Sequence, residues 1–339
     1  MGINKQLVAV ATLLFSLLSG GCAQHTMRDV AASGMVGFSN DYASPWFLAS
    51  EDTDVMCGMG EGLSAMTYPM GPNADQLVPM LSLASGMCAD ERSKEAELLY
   101  IRAMRKNDIE AAQDARTLQK RWLALAAKRQ YFGYQAGVRA WGEPGGACPA
   151  LADRNEQMSY LMGLLLGVQA FQSDFAVGGA AGVPSDVVAK VMSGITCLES
   201  DDFWGLPDAV SSMMDIMLAG AGGDEVALDV GYAKIARASA VGERQGVRMV
   251  QALEVALYLM QGKADRAKQT IRDHVASKIE VPANPEYKLM DEMATRTILL
   301  LSDKMWTEAT GQRTPYGKLG TFWDDKVSLE GALDIDDLL

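Results

Sequence analysis

The chain has little of what catalytic and metal sites are usually built from. Its two histidines are His25 and His274, too few to assemble a Ser-His-Asp triad or a histidine metal cluster. His25 lies in a small-residue, polar stretch. His274, between Asp273 and Val275, reads as a partly buried helix residue. No CxxC or HxxxH spacing accompanies the five cysteines, which argues against a zinc site. The carboxylate groups Glu51-Asp52-Thr53-Asp54 and Ser200-Asp201-Asp202 lack the alternate oxygen ligands and sixth-position glycine of a calcium loop. Standing ahead of helices, they read as caps that bind free amides and oppose the helix dipole. Gly178-Gly179-Ala180-Ala181-Gly182 lacks the Lys-Ser/Thr of a phosphate loop and joins two helices, so it reads as a flexible connection. These absences argue against an enzyme and leave no cofactor to expect.

Basic charge is also scarce. Thirty Lys and Arg face 43 Asp and Glu, giving a net charge of −13; this disfavours nucleic acid and electrostatic adsorption to anionic lipid. No apolar run reaches membrane length. The densest in the body, Leu161 to Val168, is interrupted by Gly163 and Gly167 and reads as a buried helix. The run Leu7 to Leu18 is too short to span a bilayer. It follows Lys5 and precedes Ser19-Gly20-Gly21, as in an export signal over residues 1–21. With 49% hydrophobic residues and mean hydropathy near zero, the remainder can form a large folded core.

Cys22 directly after Gly20-Gly21 resembles the lipobox cysteine of bacterial lipoproteins, with Leu18 one place further out than usual and Ser19 in its slot. The resemblance implies cleavage before Cys22, lipidation of that residue and a membrane tether without a spanning helix. More than one acyl chain is needed for stable anchoring. Ala23, in place of Asp, points to the outer membrane. The other reading is an ordinary secretory signal with Cys22 a free thiol. Removing Cys22 leaves Cys57, Cys88, Cys148 and Cys197, an even number suited to an oxidising compartment such as the periplasm. Three pairings are possible. Cys57 near the start of one helix and Cys88 at the end of the next would meet in an antiparallel hairpin, and Cys148 and Cys197 repeat the arrangement. Cys57–Cys88 and Cys148–Cys197 are therefore favoured, each worth about 4 kcal/mol by loop entropy.

Residues 22–45, small and polar and ending at Pro45, read as the lipidated cysteine and its tether. From residue 46 to 308 apolar residues recur three and four apart with almost no strand-type alternation, which predicts an all-α domain. Helices are expected near 74–88, 92–106, 108–140, 152–174, 185–198, 206–220, 224–240, 245–262, 264–277 and 285–307, after one ending near Tyr68-Pro69. Short breaks make neighbours antiparallel. Two turns share a chemistry: Asn107 and Gly262 each precede an alanine, Ala112 and Ala267, by five residues. A tetratricopeptide-like hairpin needs this combination, a residue tolerant of left-handed backbone and a small residue at the close contact. Tyr258 and Ile271 occupy its large apolar positions. The period is lost elsewhere, so the expectation is degenerate hairpins in a solenoid or irregular bundle.

Methionines cluster as Met56, Met59 and Met66 and as Met213, Met214 and Met217. Core packing is the default, a hydrophobic ligand channel or partner groove the alternative. Tyr131, Phe132, Tyr134 and Trp141 are weighed in the same way. Residues 309–339, with Asp324-Asp325 and Asp334 to Asp337, read as an acidic, mobile tail or short interaction segment.

The layout resembles the T-component (TatT-like) family of tripartite ATP-independent periplasmic (TRAP) transporters. The residues that carry it are Ala84-Ser85-Gly86 before an acidic helix, the Ala112 to Tyr131 helix continuing to Ala140, Leu206-Pro207-Asp208-Ala209 through the Gly262 turn to Arg272, and Asn284-Pro285-Glu286 to Leu301. The resemblance implies a non-catalytic, tetratricopeptide-like lipoprotein that associates with the periplasmic solute-binding protein of such an uptake system, with homo-oligomers possible. Against it stand a carrier that binds an apolar small molecule directly and a general outer-membrane scaffold.

Overall fold

The computed structural model describes residues 26–325; Cys22, the export signal and residues 326–339 lie outside the described residues. Eleven helices and no strand occur among the described residues, an all-α bundle. The first, α1, runs over 26–48. It is α-helical to residue 38, passes through a π turn at Ser39–Ala43, and resumes as Ser44–Leu48. Pro45 explains the π turn, because proline has no N–H to donate four residues back and its ring crowds that carbonyl. Phe47, Leu48 and Ala32 of α1 are buried. The tether expected over residues 22–45 is thus corrected from residue 26 onward: small residues hid a helix whose inner face packs on the body.

The remaining helices are α2 Thr53–Thr67, α3 Val78–Arg105, α4 Ile109–Trp141, α5 Arg154–Ala176, α6 Val187–Ile195, α7 Leu206–Gly222, α8 Glu225–Arg244, α9 Met249–Met260, α10 Ala264–Glu280 and α11 Lys288–Thr310. The two helices expected at 74–88 and 92–106 are one, α3. Asp90-Glu91 resembles a helix start, but Lys94 pairs with Asp90 one turn on and supports an uninterrupted interior.

Hairpins form where the turn chemistry demands them. Asn107 and Gly262 adopt left-handed backbone with φ of 56° and 69°. Behind each, the next amide reaches back to close the helix, Asp108 N to Ala103 O at 3.0 Å and Lys263 N to Tyr258 O at 2.8 Å. Gly223, at φ 70°, repeats the geometry between α7 and α8. Asp108 and Asp224 then cap the following helices, each accepting from an amide three residues on at 3.0 Å. Ala112, Ala267, Tyr258 and Ile271 are buried.

The main core gathers side chains from α1 through α9 and α11, including Leu161, Leu164, Leu166, Phe203 and Trp204. A second cluster joins α9, α10 and α11 through Val255, Ile271 and Ile298, and Phe322 completes it. The tail expected over 309–339 therefore docks as far as residue 325. Phe322 is buried, Asp325 pairs with Arg272 at 2.6 Å, and Asp324 pairs with Lys268. Those basic partners lie on α10, too distant in sequence for composition to reveal. Helix α11 closes on α3 through Arg296–Glu91 and Lys304–Glu97, and Arg313, just past the helix end, adds Arg313–Glu95. Each pair contributes modestly at the surface; their row fixes the register of the two helices.

Candidate functional site

Two disulfides frame the first half of the bundle. Cys57–Cys88 and Cys148–Cys197 have Cα separations of 5.6 and 5.5 Å, within the range an unforced bridge needs. The pairing is the expected one, but Cys88 sits inside α3 and not at a helix end. Gly60 makes the bridge possible. A β-carbon there would come within 2.5 Å of the Ala84 β-carbon and the Ser85 amide, so only glycine lets α2 lie this close to α3.

Beyond that contact the helices diverge, and α1 roofs the gap. The partly open cavity measures about 230 Å³. Its wall is largely apolar: Met35, Phe38 and Phe47 from α1, Met59, Leu63 and Met66 from α2, and Leu77, Met80, Leu81 and Ala84 at the start of α3. Polar groups are few, among them Ser39, Asn40, Thr67, Gln76 and Ser159. The π turn of α1 contributes directly, because Asn155 on α5 donates to the Asn40 carbonyl at 3.1 Å and pins the roof to the body. An apolar cavity of roughly 150 Å³ stays dry and accepts benzene. A larger one lined by pliable methionines suits an apolar molecule bigger than one ring.

The methionines divide between the two readings. Met59 and Met66 face this cavity, Met56 is fully buried core, and Met213 packs against the main core. Met217 is half exposed. The aromatics of α4 lie elsewhere. Tyr131 stacks on Tyr134, Trp141 meets Tyr160 edge-on, Arg139 lies over Phe132, and the Trp141 ring N–H donates to Glu156 at 2.9 Å. Trp141 ties α4 to α5, and none of the four lines the cavity.

The remaining sequence candidates have structural roles. His274 is fully buried, its ring nitrogens 2.7 Å from Gln251 Oε1 and 3.1 Å from Thr295 Oγ1. Burial, then Lys278 and Arg248, pull its pKa down to about 3, so the imidazole is neutral. Asp52 caps α2 through the Asp54 and Val55 amides, both at 3.0 Å. Ser200 accepts from the Asp208 amide, and Asp202 pairs with Arg154. The Gly178–Gly182 segment is built around buried Asp174, whose carboxylate accepts from Ala181 N at 2.6 Å and Val183 N at 2.8 Å. That organised turn replaces the loose connection expected from its glycines. No group of three or more His, Cys, Asp or Glu able to hold a metal occurs among the described residues, and no helix among them is long and apolar enough to cross a membrane.

Sequence reasoning missed a polar recess between α8, α9 and α10. Glu254 is buried there, accepting from Ser239 Oγ at 2.7 Å. Burial, with Asp273 and Glu243 nearby, pushes its pKa up to about 7. It missed as well the fully buried Arg248–Asp291 pair at 2.9 Å. A charged residue at a core position on a helical stripe was the only available signal for either.

Fold and cavity define an all-helical hairpin bundle with a disulfide-braced apolar pocket. No family model, curated protein or solved structure matches the chain.

Proposed function

We propose that this protein is a non-catalytic, lipid-tethered protein of the bacterial envelope that holds a small apolar molecule in the pocket beneath α1. The observation that carries the reading is the apolar pocket itself, walled by three helices that a disulfide and the Asn155–Asn40 bond hold in place. The lipobox and the two disulfides support an extracytoplasmic site on the periplasmic side of the outer membrane. The test is binding of a naphthylamine fluorophore, whose emission rises in apolar surroundings, to the wild type and to Ala43→Trp, which fills the pocket from α1. At least a tenfold loss of affinity at unchanged Tm is expected. Equal binding by both proteins would remove the pocket from the reading.

A second observation favours the accessory role in TRAP-type uptake. At the α7–α8 hairpin Met217, Leu218, Val226 and Val230 are 50, 66, 75 and 51% exposed, around a shallow recess edged by Asp215, Asp224 and Lys234. Contiguous exposed apolar side chains rimmed by charge suit a protein partner. In this reading the partner is a periplasmic solute-binding protein. Its co-purification with the wild type and loss on Leu218→Lys is the discriminating result.

A further inference from the structure

The outward face of α1 is unlike the rest of the surface. Its exposed positions between residues 26 and 46 include Met27, Val30, Phe38, Tyr42 and Trp46, 61 to 76% exposed. Charge on this stretch is limited to Asp41 and to Arg28 and Asp29, whose side chains are 38 and 43% exposed and pair with each other at 3.2 Å. The chain as a whole is 22% charged, and a helix face that meets only water carries its share. Met27 and Val30 lie a turn apart, and Phe38, Tyr42 and Trp46 recur every four residues, so they form one stripe along the helix. The inner side supplies buried Ala32, Phe47 and Leu48 and the roof of the pocket, and Phe38 stands at the border, stacked on Tyr42 of the stripe while its ring also edges the pocket mouth. The helix is therefore apolar on both sides while only one is covered by the body.

We infer that this outward stripe lies in the headgroup region of the phospholipid bilayer. The inference rests on the lipobox reading of Cys22 and is independent of what occupies the pocket. Two arguments select lipid as the occupant. The first is reach. Residue 26, the first described residue of the helix, is four residue steps from Cys22, and an extended chain covers at most about 3.6 Å per step. Acyl chains on Cys22 hold the first turn of α1 within about 14 Å of the membrane. The second is chemistry. The aromatic end of the stripe, Tyr42 and Trp46, combines an apolar body with a polar tip, as side chains at the headgroup level do. With a net charge of −13 the face gains nothing from anionic lipid, so the surface it fits is zwitterionic. Laid flat, the helix turns the α1 side of the pocket toward the bilayer and directs the α2–α11 body away from it.

Because the other four cysteines are paired, Cys22 is the single thiol of residues 22–339 produced without the export signal, where no acyl group is added, and that thiol can be coupled to a maleimide-headgroup lipid. The experiment compares acrylamide quenching of tryptophan emission for the coupled protein on phosphatidylcholine vesicles and for the uncoupled protein in solution. Trp46→Phe serves as the subtraction control. Trp46 is 67% exposed and Trp323 39%. The expected result is at least a threefold fall in quenching of the Trp46 component on vesicles, a blue shift of that component, and its quenching by lipid brominated near the headgroup. Unchanged acrylamide access on vesicles would overturn the inference. So would protection already present in solution together with a dimer in sedimentation, which would assign the stripe to a second copy. Protection on vesicles without quenching by brominated lipid would overturn it too.

Discussion

Replacing Asp291 with alanine should be among the most damaging single changes in the second half of the bundle. Arg248 and Asp291 are both fully buried. The Arg248 Nη1 donates to both carboxylate oxygens at 2.9 Å, and its backbone N–H donates to Asp291 Oδ1 at 3.0 Å. Nε donates to Ser277 Oγ at 2.7 Å, and Nη2 to the Ser277 carbonyl at 2.8 Å and to the Val281 carbonyl. One guanidinium at the start of α9 thus joins the end of α10 to α11. Asp291→Ala leaves that cation and an amide without their acceptor in a site closed to water. Loss of one partner of such a pair costs about 3–5 kcal/mol, a large share of the roughly 5–15 kcal/mol that holds a domain together. Arg248→Met combined with Asp291→Leu removes both charges and strands the backbone amide, at about 1–3 kcal/mol; the Ser277 carbonyl keeps the Val281 amide, and the Val281 carbonyl loses its donor at a part-buried position. The double variant should therefore be more stable than Asp291→Ala. Urea unfolding of the oxidised protein, followed by far-UV circular dichroism, reads both midpoints. A cost below about 1 kcal/mol for Asp291→Ala, or a double variant less stable than the single, would refute the account of a buried charge held by its counter-ion.

Glu254→Gln should be stabilising above neutral pH. The carboxyl is raised in the folded state from 4.5 to about 7, so its protonated form is favoured by folding. That stability is fully present below the unfolded value near 4.5 and lost as pH rises through about 7. At about 1.4 kcal/mol per pH unit, the advantage of the glutamine variant should grow by about 3 kcal/mol between about pH 4.5 and 8. Thermal melts across that range check it, and a flat difference would count against the burial account. In α2, Gly60→Ala should cost about 1–3 kcal/mol by driving a methyl group into Ala84 and Ser85. Gly62→Ala, with open space around it, should gain about 0.5–1 kcal/mol. Equal Tm shifts for the two would mean that the α2–α3 contact is looser than described.

Periodicity made the all-α class legible because helix faces must bury apolar groups every three to four residues, a local requirement written in consecutive positions. Turn chemistry was legible for the same reason: Asn107 and Gly262 permit the left-handed backbone that the two hairpin turns adopt. The paired cysteines could be proposed from hairpin logic, although Cys88 occupies a helix interior. Residues 26–45 were harder. Their small side chains and Pro45 resemble a tether, and only the body beneath them provides the burial of Ala32 and the Asn155 bond that make a helix there worthwhile.

Sequence by itself determined the helical class and the two matching hairpin turns, each resting on chemistry between near neighbours. Tertiary structure decided what lies between those helices. Met59, Met66, Phe38 and Met80 carry no mark that separates a pocket wall from a core. The gap they line exists because Gly60 and the Cys57–Cys88 bridge draw α2 onto α3 at one point while α1 spans the opening beyond it. The same holds for Arg248 with Asp291 and for Lys268 with Asp324, where a charge is settled by a partner many residues away. Such contacts depend on how whole helices cross, and no local pattern encodes a crossing.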